Sequence, residues 1–308
     1  NQQIECIMIV HRLKGNPPFS SSDIDILKIF AELIGMTMTN AKSLITLHNQ
    51  LTTLEKCNQF YSELTNLSVN NSGIASIVKE LKRVLGMPVQ VINLMTHEHY
   101  PRSGTFEKKL LMTLNQAKIR NNEPFLIQVE NKSDQYRVYP ILVEHSCLGY
   151  LVVSVQEYET QIESMIIEIG RTVIALELSK AQSSLDIVFK RTAQNFFELI
   201  NMNDPLMLSK KSNELGLDLN ANYAVVVLSL VYDNNEKQTT YIYRLIANLE
   251  TEFASAQKII FTSQEKITLL LSLKKIDGVN LVQERIDNIL AQTQIDENIY
   301  LCAGMGSF

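Results

Sequence analysis

The most concentrated set of side chains that could do chemistry is the run His97-Glu98-His99-Tyr100. Alternate residues of an extended segment face one side, so two imidazoles and a neighbouring carboxylate could be offered to a divalent metal ion. A closed site needs further ligands, and the sequence contains no other cluster of histidine, cysteine and carboxylate residues to supply them. We therefore predict a mobile surface loop here and no bound metal.

A second candidate is the pair Arg137 and Tyr139, which alternate onto one face of a segment otherwise rich in apolar residues. Together they could contact an anionic or planar small molecule, and His97 is a third candidate contact. The alternative is that Arg137 is a solvated edge residue and Tyr139 a half-buried packing residue. No nucleophile motif and no glycine-rich phosphate loop is present, so we predict no catalytic residue and no cofactor.

Composition limits the classes of protein to which these residues can belong. The chain has 308 residues, 45% hydrophobic and 20% charged, a balance typical of a soluble globular protein with more than one domain. Its formal net charge of -5 offers no basic surface for nucleic-acid phosphates, and no apolar run reaches the roughly 18 residues of a membrane span. Four cysteines without a CxxC pair indicate free thiols. We expect a cytoplasmic protein with no membrane contact.

Two long helical patterns could pair copies of the chain. The first has the spacing of a two-helix seam, three and four residues apart, at Leu44, Leu47, Leu51, Leu54, Asn58 and Tyr61. The second runs from Gln161 to about Asn201 without proline, and its apolar positions include Ile162, Ile169, Val173 and Leu176. About 40 helical residues would extend about 60 Å, well beyond one small domain. We expect a homodimer through these residues; the alternative is that the first stripe packs on its own domain.

The remaining patterns predict sheets flanked by helices. Residues 3–13 read as a strand, followed by a helix that Ser21 or Ser22 caps. In the middle of the chain we predict a helix at 74–85, a strand at 89–95, a helix at 106–120 and strands at 124–129, 136–144 and 147–155. The pattern of residues 222–303 predicts the ferredoxin-like order β-α-β-β-α-β, with both helices on one face of the sheet and the other face left for a partner or another domain. The fold class is therefore α+β and multidomain.

Several stretches resemble known families. Residues 3–45, with the turn NPPFSSSDIDIL and a helix running to TNAKSL, look like the C-terminal part of a GAF domain. Two stretches in the middle of the chain resemble the sensory region of PucR/CdaR-type bacterial transcriptional regulators: YPILVEHSCLGYLVVS at 139–154 and RTVIALELSKAQ at 171–182. Those regulators place a degenerate GGDEF-like, cyclase-related domain before a C-terminal helix-turn-helix. Two further stretches of this chain resemble that domain, NELGLDLNANYAVVVLSL and the terminal IYLCAGMGSF.

The resemblance implies a division into five segments and a function. The segments are the C-terminal part of a GAF domain at 1–45, a helical linker at 46–70, a GAF-like α/β sensory domain at 71–160, a long connecting helix at 161–203 and a ferredoxin-like, degenerate GGDEF-like βαββαβ domain at 204–308. The chain would be a fragment: the sensory and dimerisation region of a transcriptional regulator that responds to a small metabolite. DNA would be bound only by a helix-turn-helix that this chain lacks.

Two other functions remain open, an enzyme related to nucleotide cyclases and a ligand-free scaffold that only pairs with proteins. An active cyclase needs glycines and metal-binding carboxylates in the hairpin between strands 258–262 and 266–273, where the sequence offers the single carboxylate Glu265 beside Lys266. We therefore expect no enzyme. A scaffold would have no cavity in its middle unit, whose core would be filled by Ile92, Leu94, Phe125, Ile141 and Leu151.

Overall fold

The structure is a computed structural model, and it divides into two compact units, Asn1–Phe60 and Tyr61–Phe308. It describes residues 7–11, 13–15, 17–102, 123–128, 135–143, 146–155, 160–232, 238–264, 266–275, 278–293 and 299–307. The described elements are helices together with two antiparallel sheets, so the chain has a mixed α+β fold. Of the helices within these ranges, none is both long enough and apolar enough to cross a membrane.

Helix α1 (Ser21–Val69) dominates the first unit and continues into the second. At its start the Ser20 amide donates to Asp23 Oδ2 at 2.8 Å, and the Asp23 amide donates to Ser20 Oγ at 3.2 Å. The bonds from Ser20 lower the pKa of the Asp23 carboxyl. Because the Ser20 hydroxyl accepts from one of the free amides of the first turn, that of Asp23, the capping residue is Ser20 and not Ser21 or Ser22 as predicted.

The strand predicted at 3–13 is wrong for the residues that the structure describes. Residues 7–11 and 13 have no strand conformation, and Ile7 and Ile9 are exposed. A strand is held by hydrogen bonds to a neighbouring strand, and the described part of the first unit contains none that could pair with it. Residues 1–6 and 12 lie outside the described ranges.

The second unit begins with a five-stranded antiparallel sheet in the order β2-β1-β5-β4-β3. Its elements are α2 (Gly73–Leu85), β1 (Val89–Asn93), β2 (His99–Tyr100), β3 (Phe125–Gln128), β4 (Gln135–Val143) and β5 (Ser146–Ser154). These bounds confirm the predicted helix at 74–85 and the predicted antiparallel hairpin of the last two strands. The helix predicted at 106–120 lies outside the described residues.

Helix α3 (Gln161–Ile200) follows the sheet and confirms the long helix predicted from Gln161. Thr160 Oγ1 accepts from the Glu163 amide at 3.2 Å, and the Glu163 carboxylate accepts from the Thr160 amide at 2.7 Å, which fixes the start of the helix. Its first half packs on α2, β4 and β5. The helices approach closely at Gly170, where a Cβ atom would lie 2.5 Å from a methyl group of Leu81.

The remaining elements form the second sheet, with strands in the order β7-β8-β6-β9. They are α4 (Pro205–Glu214), β6 (Tyr223–Tyr232), α5 (Gln238–Glu252), β7 (Lys258–Ser263), β8 (Lys266–Ser272), α6 (Val279–Thr293) and β9 (Ile299–Ser307). From β6 onward the order is β-α-β-β-α-β, and α5 and α6 share one core with one face of the sheet. A split β-α-β sheet has this arrangement.

Over β7 and β8 the other face of this sheet is covered by elements of the chain itself, so it is not available to a partner there. The end of α3, together with α4 and the turn after it, covers that face. Ala193, Leu199 and Leu217 pack there with Ile259, Phe261 and Leu270. Phe261 alternates with Ile260 along β7, so each face of the strand contributes to a separate core. The chain's own helix α3 is therefore shared by both sheets.

A polar network joins the end of α1 to α3 within the second unit. The buried Ser68 hydroxyl donates to Glu177 Oε1 at 2.6 Å, and Lys180 Nζ donates to Ser68 Oγ at 2.9 Å and to Glu177 Oε1 at 2.8 Å. Lys180 Nζ also donates to the Ser68 carbonyl at 3.1 Å. Each of the three side chains contacts both of the others, so the network fixes α1 against α3.

Replacing Lys180 with methionine is expected to destabilise the fold by about 1–2 kcal/mol, because Glu177 and the Ser68 carbonyl lose a charged donor. The measurement is the urea midpoint followed by circular dichroism at equal protein concentrations. Lys28→Met is the matched control, since Lys28 pairs with Asp25 three residues away but both side chains are about 70% exposed. Equal effects of the two substitutions would contradict a structural role for the network.

Candidate functional site

A cleft of about 510 Å³ lies beside the face of the first sheet that α3 covers. Its wall is formed by Pro124, Phe125 and Leu126 around the start of β3, Arg137 and Tyr139 on β4, and Ser164 and Glu168 on α3. Leu126 pairs with Arg137 in the antiparallel register, so the two side chains lie on the same face. The volume is within the roughly 300–1,000 Å³ typical of small-molecule pockets.

The structure therefore brings Arg137 and Tyr139 together in one cleft. They are two residues apart on β4, as the sequence pattern suggested, and Tyr139 is only 6% exposed while Arg137 is half-buried. The opposite wall comes from α3, where Ser164 and Glu168 are one helical turn apart and so share a side. The cleft thus combines a guanidinium, a carboxylate and two hydroxyl groups.

Burial raises the pKa of the Tyr139 phenol. The Arg137 and Arg171 charges lower that pKa, and the Glu168 carboxylate raises it. The phenol is consequently protonated near neutral pH and can donate a hydrogen bond. Arg171 Nη2 lies 2.9 Å from Glu168 Oε2, so the Glu168 charge has a cationic partner on its own helix.

His97 is not part of this cleft. It lies in the turn between β1 and β2, toward the opposite edge of the sheet from β3 and β4, with a positive φ of 56°. Burial lowers the pKa of its imidazole, and the Arg244 charge on α5 lowers it further. The local sequence could not predict the left-handed turn at His97, nor that Arg244 on α5 lies near its imidazole. The structure does not bring His97 together with Arg137 and Tyr139.

The run around His97 is a half-buried tight turn, which differs from the surface loop predicted from its composition. His99 and Tyr100 form β2 and pair with Ile92 and Val91. The Glu98 carboxylate accepts from the Tyr100 hydroxyl at 2.8 Å and from Arg102 Nη2 at 2.5 Å. Within the described ranges, no three histidine, cysteine or carboxylate residues are grouped as metal ligands.

The hairpin between β7 and β8 is where the sequence predicted that an active nucleotide cyclase would carry its metal-binding residues. Ser263 pairs with Lys266 at its end, and Gln264 has a positive φ of 49°. Glu265, the single carboxylate of this turn, lies outside the described residues. The described part of the hairpin therefore contributes amide, hydroxyl and ammonium groups, which are poor ligands for a hard divalent cation.

The leucines predicted to pair copies of the chain are exposed. Along α1 the side chains of Leu44, Leu47, Leu51 and Leu54 are 49–67% exposed, and Asn58 is exposed as well. Tyr61, in the second unit, is also exposed. The same three-and-four spacing extends toward the helix start through the exposed residues Ile26, Phe30 and Leu33. Ile29, Met36 and Ile45 are exposed outside this register.

The positions predicted on α3 fall into three classes. Ile162 and Leu176 are exposed and Ile169 is half-buried, so these can still meet another molecule. Val173 is only 3% exposed and is not available for pairing in this structure. Apolar spacing alone could not separate these residues, because α3 is apolar on the side that packs on α2 and the first sheet as well as at these exposed positions.

Sequence reasoning missed the α3 and β3 walls of the cleft. Ser164, Glu168 and Leu126 come next to Arg137 only through the packing of α3 on β4 and the register of β3 with β4. The available signal was the one-turn spacing of Ser164 and Glu168 near the start of the long helix. A helix that follows a hairpin directly tends to pack back on it, and this would have placed the two residues near β4.

No protein-family model matches the chain, and no curated protein matches it in sequence. Among solved structures it is similar to a crystal structure of PelD 158-CT from Pseudomonas aeruginosa PAO1. The sequence identity is 11%, the alignment covers 82% of this chain and 91% of that chain, and the TM-score is 0.25. At that TM-score the likeness supports neither a fold nor a function.

Proposed function

We propose that this chain is the dimerisation and ligand-sensing region of a regulatory protein, in which α1 pairs with α1 of a second copy. The exposed seam on α1 is the observation that carries the proposal. In the finer assignment that the resemblance implies, the protein is a PucR/CdaR-type transcriptional regulator with the end of a GAF domain, a GAF-like sensory domain and a degenerate GGDEF-like domain.

The seam has the spacing and the chemistry of a two-stranded coiled coil. Leu44, Leu47, Leu51 and Leu54 are four consecutive positions of the three-and-four repeat. The flanking positions His48, Gln50 and Glu55 include one carboxylate and no run of like charge, so a second copy meets no strong repulsion. A helix that exposes this much apolar surface gains free energy when a matching helix covers it.

The polar residues of the seam favour a parallel, in-register pair. Thr37, Asn40 and Asn58 occupy seam positions between the apolar ones. In a parallel dimer each meets its own copy, whereas an antiparallel pair centred between Leu44 and Leu47 sets Asn40 against Leu51 and Thr37 against Leu54. A buried asparagine opposite another asparagine can be hydrogen-bonded, and one opposite leucine cannot. The Thr37 hydroxyl already donates to the Leu33 carbonyl at 2.8 Å, which lowers the cost of burying it.

The cleft and the network at Ser68 support the sensing part of the proposal. Ser164 and Glu168 of the cleft lie on the same helix, α3, as Glu177 and Lys180, which bind the end of α1. A ligand that shifts α3 would act on α1 through these bonds, provided that α3 has two positions of similar energy. This physical connection makes a sensor a better account than two unrelated features.

The two other function classes receive less support. A scaffold without a cavity was expected to fill its middle core, and Ile92, Leu94, Ile141 and Leu151 are indeed buried, but the cleft lies beside that core. Phe125 is half-buried and packs against the cluster that contains Ile92 and Leu94, with its ring edge-on to the Tyr150 ring, and it also lines the cleft. For an enzyme, the described side chains that line the cleft include neither a histidine nor a cysteine, the residues that most often serve as base or nucleophile.

The test of the proposed function is the molar mass of the unmodified chain in solution, measured by light scattering over a range of micromolar concentrations. The proposal predicts a particle of two chains, twice the 35.0 kDa of one chain. A mass of 35.0 kDa at every concentration would remove dimerisation from the account.

A further inference from the structure

Strand β9 (Ile299–Ser307) is an edge of the second sheet, and its outer side has no neighbour among the described strands. On its inner side it pairs with β6 in an unbroken register of nine residue pairs. Alternate residues of such a strand direct their N–H and C=O groups away from β6. Residues 302–306, in the middle of the strand, are all exposed, so this stretch of the edge is open to solvent.

The other edges of the two described sheets are protected in ways that β9 is not. In the first sheet, the edge strands β2 and β3 have two and four residues. In the second, β7 has six residues and begins with Lys258, whose ammonium group lies 2.9 Å from Glu250 Oε2. Short strands and charged side chains are common means by which natural sheets prevent their edges from pairing. Strand β9 has nine residues, and its sequence contains no charged residue and no proline.

An unprotected edge determines the kind of partner that fits it. A row of N–H and C=O groups at strand spacing is matched by the same groups of another extended strand. The surface beside the β9 edge also leaves room for such a strand. Gly304 and Gly306 have no side chains, and nothing lies within 4 Å of a Cβ atom added at either position.

A second copy of β9 is complementary to the first. In an antiparallel pair centred on Ala303, the nine residues of one copy overlap fully with the nine of the other. Cys302 is then opposite Gly304, so a residue with a side chain meets one without. A centre at Gly304 would instead set glycine opposite glycine. No like charges meet in either register, because the strand has no charged residue.

We propose that β9 pairs antiparallel with β9 of a second copy, centred on Ala303, so that two four-stranded sheets form one of eight strands. This interface is separate from the α1 seam and does not depend on it. A single pair of strands covers much less than the roughly 1,200 Å² typical of a stable interface. The pairing is therefore weak, and it is populated at about millimolar protein concentration.

The tests use the full chain with Leu47→Glu and Leu51→Glu, the α1-blocked chain, so that association through β9 is measured by itself. Ala303→Lys would place two ammonium groups directly opposite each other, and like charges in that position destabilise a strand pair. Sedimentation equilibrium should give a dissociation constant at least about tenfold higher for this variant. Ala254→Lys, at an exposed alanine in the turn after α5, adds the same charge away from the edge and should leave the constant unchanged.

Circular dichroism of each variant separates a loss of pairing from a loss of folding. A folded Ala303→Lys variant that associates as strongly as its parent would overturn the proposal. An α1-blocked chain that stays single up to millimolar concentration would also overturn it and leave a strand of another protein as the occupant of the edge. Because α1 pairing is already removed, neither result depends on whether the unmodified chain is a dimer through α1.

Disulfide formation tests the register. With Cys6 and Cys302 replaced by serine, Ala303→Cys or Met305→Cys is added to the α1-blocked chain. The two copies of position 303 are opposed, with Cα atoms about 4.5–5.5 Å apart, a separation that a disulfide spans. The two copies of position 305 are offset by four residues, about 13 Å along the strands. We expect a covalent dimer for Ala303→Cys and single chains for Met305→Cys; the reverse, or equal linking of both, would refute the pairing centred on Ala303.

Discussion

Replacing both Leu47 and Leu51 with glutamate is expected to convert the proposed dimer into single chains. The two leucines are adjacent seam positions, about half exposed in the single chain, and a second copy would bury them. Each glutamate would bring a charge into an apolar contact opposite the same charge on the partner helix. A loss of about 3 kcal/mol or more raises the dimer dissociation constant at least about a hundredfold.

The control variant adds the same two glutamates to α1, but at positions outside the seam. Ile45→Glu with Asn49→Glu adds the same number of carboxylates to the same two turns of α1, at positions that point away from the predicted pairing side. Ile45 is 62% exposed, so its replacement should not disturb the single chain. Sedimentation velocity of the two double variants should give one chain for the seam variant and two for the control. Identical behaviour of both would mean that the interface is elsewhere.

Gly149→Ala is expected to destabilise the first sheet by at least about 2 kcal/mol. Gly149 lies in the central strand β5, where a Cβ atom would be 2.5 Å from the Ile92 carbonyl oxygen and 3.0 Å from a Leu178 methyl group. The oxygen belongs to the backbone of β1, so it cannot rotate away as a side chain could. Relief requires that β1 move away from β5 or that α3 shift, and either change disrupts the packing of the core.

Gly35→Ala, in contrast, should leave the stability of the fold unchanged or increase it. Gly35 is inside α1, nothing lies within 4 Å of an added Cβ, and alanine favours a helix by about 0.5–1 kcal/mol over glycine. Urea unfolding at one fixed protein concentration should therefore lower the midpoint for Gly149→Ala and maintain or raise it for Gly35→Ala. A stable Gly149→Ala protein with an unshifted midpoint would show that β1 and β5 do not approach as closely as described.

The sequence predicted the elements whose signals are local and periodic. Helix α3 and helix α2 begin and end close to the expected residues because apolar spacing and terminal residues such as Thr160 and Gly86 mark them. The strand at 3–13 failed because alternating apolar composition says nothing about whether a neighbouring strand is present. The capping residue of α1 was predicted one or two positions too late in a run of three serines, where only the bonds between Ser20 and Asp23 distinguish them.

The candidate site was predictable in the part that one strand supplies. Arg137 and Tyr139 share a face because strand residues alternate, and this follows from their numbers alone. Their partners on α3 required the packing of a helix on a sheet, which depends on contacts between residues distant in sequence. The same limit explains Val173, whose spacing fits an exposed stripe but whose side chain is part of the core.

The most direct test of the proposed α1 seam is oxidative cross-linking through one introduced cysteine, with the buried Cys57 and half-buried Cys147 left in place. Cys6 and Cys302 are first replaced with serine in every variant, and Leu47→Cys or Ile45→Cys is then introduced. A disulfide forms only where two Cβ atoms can come within about 4 Å, so in a parallel, in-register dimer position 47 should link to its own copy and position 45 should not. The account predicts a covalent dimer on mild oxidation of Leu47→Cys and single chains for Ile45→Cys. Single chains for Leu47→Cys, or equal linking of both, would contradict it.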